Sequence, residues 1–185
     1  MTPFLEPILF CLRFAKIKKY IPKAGRVCDI CCGAQGQLLF EVKDLIVEGV
    51  GYDKEVNEQK TGNITLKKTE LLGKIPEESD HFDCITMLAA LEHLGKPEEI
   101  LKECLRILKP GGLLLLTTPD LSGRGLLEFL SLKLGIVSRE QIRGHVNYFS
   151  RETLSILLAA AGFEKDKIII EKFEFGYNLF ARAFK

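Results

Sequence analysis

Two rhythms of apolar residues divide this chain. Short apolar runs fall at Val27–Ile30, Ile46–Tyr52, Ile64–Lys67, Phe82–Leu88 and Leu113–Thr118. Their length and their Gly, Pro and Asp boundaries predict strands. Between them the apolar spacing becomes helical. Phe4–Tyr20 sets Ile8, Leu9, Leu12, Phe14, Ala15 and Ile17 against Arg13, Lys16, Lys18 and Lys19. Bases near its end suit a helix C-terminus. Gln37–Leu45 carries Leu38, Leu39 and Val42. A helix from Pro97 has Glu98 and Glu99 in its first turn and an apolar face of Ile100, Leu101, Cys104, Leu105 and Leu108. Lys109 ends it, and Pro110-Gly111-Gly112 stops it. Ser150 caps a last helix with Leu154, Leu157, Leu158 and Ala161, closing at Gly162.

The remaining segments complete the expected order. Glu55–Gly62 reads as a short polar helix or turn. Lys167–Phe173 and Tyr177–Phe184 read as strands turned by Gly176, an antiparallel hairpin. Leu113–Thr118 lacks polar alternation, as a central strand buried on both faces does. Strands alternating with helices predict an α/β fold, a Rossmann-like three-layer sandwich. The expected sheet is seven-stranded and mostly parallel, finished by the antiparallel hairpin. Residues 1–185 are expected to form a single domain, with the N-terminal helix of residues 1–24 covering the sheet or lidding a site.

The candidate chemistry centres on V-C-D-I-C-C-G-A-Q-G, Val27 to Gly36. Here a strand passes through a tight turn into a helix. Gly33 and Gly36 permit backbone that side chains would block. Such a turn lets main chain approach a ligand and aims helix N–H groups at it. Asp53 ends the next apolar run. An acid about 20 residues after a glycine turn is where α/β nucleotide sites place a ribose-hydroxyl acceptor. The stretch is not a dinucleotide fingerprint, because Cys31 stands where G-x-G-x-x-G needs its first glycine. A nicotinamide oxidoreductase therefore fits poorly.

Composition narrows the classes. The chain has 185 residues, 46% of them hydrophobic, with 26 basic and 25 acidic side chains and a formal net charge of +1. That balance gives no electrostatic reason to expect nucleic acid. No apolar run approaches the roughly 18 residues of a bilayer span. The start, M-T-P-F-L-E-P, lacks a basic signal-peptide region, so a cytoplasmic protein is expected. The six cysteines include Cys28-x-x-Cys31-Cys32. A zinc site needs four converging ligands, and no second close pair exists. Buried thiols in a reducing compartment are expected, and no metal.

Four stretches carry a family resemblance. V-C-D-I-C-C-G is similar to V-L-D-x-G-x-G-x-G. F-D-C-I-T-M-L-A-A-L-E-H-L, L-K-E-C-L-R-I-L-K-P-G-G-L-L-L-L-T-T-P and H-V-N-Y-F-S-R-E-T-L-S-I-L-L-A-A-A-G-F follow in order. Together they resemble the class I S-adenosylmethionine-dependent methyltransferases of the small-molecule subgroup (methyltransferase type 11/12-like). They cover most of the chain from Arg26 onward.

The resemblance implies S-adenosyl-L-methionine as cofactor, lying across the carboxyl ends of the first and fourth strands. It implies that Asp29 orders the turn or meets the methionine end. Gly33, with Gly36 beside it, allows backbone approach, while Cys31 and Gln35 depart from the motif's glycines. Asp53, beside Lys54, would accept both ribose hydroxyls. Glu70 and Leu71 fall at the adenine position, and Leu88 and Ala89 line the methionine side. It implies in-line methyl transfer to a small molecule, expected at oxygen, with the hydroxyl proton passing to a base. His145, in the late loop, and His93, just past the fourth strand, are the candidates. Arg143 and Tyr148 flank the same loop, and His81 sits at the wrong end of its strand. The apolar stretch Leu126–Val137 reads as a helix over the sheet, a wall for an apolar or lipid-linked acceptor, or a dimer surface. A catalytically silent protein that binds a ligand or protein partner is the alternative function.

Overall fold

A computed structural model describes residues 6–71, 73–123 and 147–185. Eight strands form one sheet: β1 Arg26–Ile30, β2 Glu48–Asp53, β3 Gln59–Thr61, β4 Ile64–Lys68, β5 Phe82–Leu88, β6 Leu108–Pro119, β7 Ile168–Phe173 and β8 Asn178–Phe184. Their order is β3-β4-β2-β1-β5-β6-β8-β7. The run from β4 to β6 is parallel, and β7 and β8 form the expected antiparallel hairpin. The eighth strand is β3, which pairs antiparallel with β4 across Thr61↔Ile64. It falls where a polar helix or turn was expected. All three of its residues are exposed, so it carries no alternating apolar signal.

Among the described residues the α-helices are α1 Glu6–Ile17, α2 Gln37–Val42, α3 Pro97–Ile107 and α4 Arg151–Ala160. Strand side chains alternate between two cores. Val27, Cys84, Leu115 and Phe180 join Ile17 of α1 and Leu38, Leu39 and Val42 of α2 on one face. Cys28, Ile30, Ile85, Met87, Leu114 and Leu116 join Ile100, Leu101 and Cys104 of α3 and Leu154 and Leu158 of α4 on the other. Leu114, Leu115 and Leu116 are fully buried, so β6 is the central strand its apolar run predicts.

Local chemistry fixes the helix ends. Ser150 caps α4: its Oγ accepts from the Thr153 N–H, and Thr153 Oγ1 accepts from the Ser150 N–H. Gly162, at φ 108, ends it. α3 starts at Pro97 and stops at Ile107, two residues before Lys109. The K-P-G-G segment then enters β6 across a register shift against β5. Gly49 and Gly51 of β2 let α2 lie close. A Cβ at Gly51 would sit 2.7 Å from Leu66 Cδ2 and 3.1 Å from Leu39 Cδ1. The apolar stretch Leu126–Val137 lies outside the described residues.

Leu116 of β6 lies between Met87 and Ala181 and is fully buried. Leu116→Ala should lower stability by about 3 kcal/mol, because it removes buried methyls and leaves a cavity. Urea unfolding should show a lower midpoint with an unchanged slope.

Candidate functional site

The chain leaves β1, goes out to β2, β3 and β4, then crosses back to β5. The strand order therefore reverses between β1 and β5. Open α/β sheets bind ligands outside the carboxyl ends of the strands at such a point. Cys31 follows β1 and Ala89 follows β5, and both hold left-handed backbone, at φ 57 and φ 49. That conformation is uncommon and costly for residues with a Cβ, and it clusters at functional sites.

The turn is tied to its surroundings. The Cys32 N–H donates to the Tyr52 carbonyl at 3.0 Å. The Gly33 N–H donates to Asp53 Oδ2 at 2.9 Å, and the Glu55 N–H donates to Asp53 Oδ1 at 2.8 Å. Both oxygens are thereby oriented, and each keeps a further lone pair for a ligand. Gly33 and Gly36 have φ of 73 and 58. A Cβ at Gly36 would meet Leu66 Cδ2 at 2.5 Å, whereas above Gly33 nothing lies within 4 Å. Cys31 packs against the α3/α4 core and Cys32 against the α1/α2 core. The thiols thus sit under the turn.

Among the described residues three acids are buried at this edge, and one of them, Asp120, lies 3.2 Å from Lys172 Nζ. Asp29 is 3% exposed, and its Oδ1 accepts from Thr86 Oγ1 at 2.6 Å. Burial pushes its carboxyl up to about 7; the Thr86 hydrogen bond opposes the rise and the Asp53 charge adds to it. Glu92 is 1% exposed, in the short turn Leu91–His93 after β5. Its Oε2 accepts from Thr118 Oγ1 at 3.0 Å. Burial pushes it too up to about 7, against its own backbone N–H, the Arg13 charge and the Thr118 hydroxyl. Burial also holds the Cys31 thiol up at about 12, which withholds the thiolate that redox exchange and metal binding need. Among the described residues no group of three His, Cys, Asp or Glu could hold a metal ion.

The structure brings Asp29, Cys31, Gly33, Gly36, Asp53, Leu88 and Ala89 to this one edge. Lys54 and Glu70 are exposed just beyond β2 and β4, and Leu71 packs against the α3/α4 core. His93 is exposed at the end of the turn that holds Glu92. The late segment is pinned beside it: the Asn147 N–H donates to the Glu92 carbonyl at 3.1 Å. Tyr148 is half-buried in that segment. His145 and Arg143 lie outside the described residues. His81 sits at the opposite edge, 3.2 Å from Glu48 Oε2. Thr86, Glu92 and Thr118 escaped the sequence reading. The signal available for Glu92 was an acid directly after an apolar strand, in L-E-H.

A family model described as a methyltransferase domain matches residues 6–168. A ubiquinone/menaquinone biosynthesis C-methyltransferase of Azotobacter vinelandii is 30% identical over 152 residues, covering 72% of this chain and 58% of that relative. The corresponding protein of Pseudomonas paraeruginosa is 27% identical, with 72% and 57% covered. The chain thus spans less than two thirds of the length of these relatives. Among solved structures, a possible histamine N-methyltransferase of Thermotoga maritima superposes with a TM-score of 0.69 at 21% identity, covering 95% of this chain and 89% of the other. At that identity the likeness shows the fold.

Asp29 and Glu92 make stability depend on pH. Each binds its proton more tightly folded than unfolded, since its folded pKa of about 7 exceeds the ordinary carboxylate value. Their contribution is full below the unfolded values and is lost as pH rises through about 7. Between pH 5 and pH 8 unfolding free energy should fall by on the order of 1–3 kcal/mol per group. Urea melts of an Asp29→Asn, Glu92→Gln double variant should show a flatter profile.

Proposed function

This chain belongs to the methyltransferase domain family, and on that premise we propose that it is an enzyme that methylates a small hydroxylated molecule. S-adenosylmethionine is the cofactor that the family and fold imply, and it supplies a methyl group activated on a sulfonium. The residues of the crevice fit it. Asp53 has both oxygens fixed by backbone N–H groups and lone pairs to spare for two ribose hydroxyls. The space above Gly33 is open to the cofactor's main body. Asp29, at the end of β1, offers a buried negative charge to the amino end, and Leu88 and Ala89 flank it from β5. Glu70 and Leu71 border the adenine side.

The observation that carries this reading is the Gly33–Asp53 hydrogen bond. It joins the turn and the acid, twenty residues apart, into one binding edge at the strand switch. Acceptor chemistry would take place over β5 and β6, beside Glu92 and Thr118. There the protein's tasks are to orient a hydroxyl, exclude water and accept its proton. His145 and His93 are the proposed bases. Oxygen is the favoured methyl acceptor. The Azotobacter relative is named for methylation at carbon, and this supports a second reading: a deprotonated phenol is nucleophilic at oxygen and at ring carbon, so one base serves either product. A silent ligand-binding protein is the remaining alternative, and Cys31 in left-handed backbone is the feature that favours it.

Calorimetry with S-adenosylmethionine separates these readings. The wild type should bind, and Asp53→Ala should weaken binding about 100-fold, the loss of two hydrogen bonds to a charged group. A wild type that does not bind would leave the silent reading. In turnover assays with phenolic acceptors, His145→Ala should lower kcat at least about 100-fold while cofactor affinity stays within about threefold. Equal loss of both would remove His145 from the acceptor side. Mass and NMR spectra of the product distinguish O-methyl from C-methyl transfer.

A further inference from the structure

The carboxyl edge holds a second polar group that cofactor binding leaves unused. Asn178 opens β8, opposite Pro119 of β6 and Phe173 of β7, and is 5% exposed. Its Nδ2 donates to Glu174 Oε2. Its Oδ1 is buried with no hydrogen-bond partner, and so are Glu174 Oε1 and Arg13 Nε. These three are among only four such side-chain atoms in the described residues. Buried polar groups are nearly always partnered, so a local concentration of unpartnered ones demands a reason. Here they are complementary: one donor and two acceptors.

Packing places them together. α1 and the turn after it, Lys18–Tyr20, lie along the terminal hairpin, with Lys16 Nζ 2.8 Å from Glu171 Oε2 and the Arg182 guanidinium 4.5 Å from the Tyr20 ring centroid. Three residues back along α1 is Arg13, and three residues on from Glu171 is Glu174. The positive charge of Arg13 acts on both Glu174 and Glu92. Asn178 pairs with Pro119, the residue after Thr118, so the group lies at the carboxyl end of β6, on the α1 side of the sheet.

Resting on the methyltransferase reading, the geometry points to Arg13, Glu174 and Asn178 as the recognition site for the hydroxyl-bearing head of the acceptor. A hydroxyl donates to Asn178 Oδ1 or Glu174 Oε1, and an oxygen of the same head accepts from Arg13 Nε. Hydrogen-bond count selects among heads: one donor and two acceptors are unpartnered, which a neutral diol or hydroquinone meets with its own donors and acceptor oxygens. α1 is then part of the acceptor site as well as a cover on the sheet. The competing account is an ordered water satisfying all three atoms.

The test uses the full chain saturated with S-adenosylhomocysteine, titrated by ligand-observed NMR with hydroquinone and with 1,4-dimethoxybenzene, which has no donor. The wild type should bind hydroquinone at least about tenfold more tightly, as a site built to hydrogen-bond a hydroxyl rejects an analogue lacking it. Asn178→Leu and Arg13→Met should each weaken hydroquinone at least about tenfold while S-adenosylhomocysteine affinity stays within about twofold. Thermal melts check that each variant folds, because Asn178→Leu removes an unpartnered oxygen and also the Nδ2 donor to Glu174. Unchanged hydroquinone affinity in both variants would overturn the site and leave the water account standing. A wild type that binds S-adenosylhomocysteine but not hydroquinone overturns the site and leaves the cofactor reading standing. A wild type that binds neither overturns both.

Discussion

The hydrogen bond from the Gly33 N–H to Asp53 Oδ2 is the constraint around which this edge of the molecule is built. It requires the end of β1 and the end of β2 to come within a hydrogen bond of each other while the chain between them makes α2. That works only if α2 lies very close to the sheet. Gly49 and Gly51 leave room for Leu39, and Gly36 leaves room for Leu66. Cys31 takes a left-handed conformation that its Cβ disfavours. The local strain is small beside the packing of two cores, and the result is a carboxylate whose two oxygens are aimed before any ligand arrives. Preorganisation of this kind removes an ordering cost from binding.

The interior side of the crevice works by the opposite logic. Asp29 and Glu92 are buried with one hydroxyl hydrogen bond each, from Thr86 and Thr118. A carboxylate so placed is under-solvated, and its proton affinity rises into the neutral range. Each acid is therefore poised to respond to an approaching positive charge or to a hydroxyl seeking a proton acceptor. A fold optimised for stability alone would replace them with apolar residues; their presence at the strand switch is where stability gives way to chemistry.

Much of this was legible along the chain because it is local. The Val27–Gly36 turn, the uniform apolar run of β6, Pro97 at the start of α3 and the Ser150 cap of α4 each declare themselves within a few residues. β3 did not, since an exposed edge strand of three residues pairs through backbone alone and needs no apolar period. Glu92 looked like any acid after a strand. Its burial depends on Thr118, 26 residues on, and on the late segment folding over it. Nor does an isolated Arg13 on an amphipathic helix differ from a solvated base until α1 is laid against the hairpin.

The same contrast separates the two halves of the site. The cofactor edge comes mostly from one strand-turn-helix and the acid after the next strand, so its chemistry follows a short stretch of text and is shared with many proteins of this fold. The proposed acceptor side of the same edge would draw on α1, the turn after β5, the end of β6 and the β7–β8 hairpin, segments spread from Arg13 to Asn178. No short motif can encode a surface assembled from four distant pieces, and each piece can change without disturbing the glycine turn. A fold of this design keeps one reagent and exchanges its acceptors, which is why short motifs speak of the methyl donor and not of what receives it.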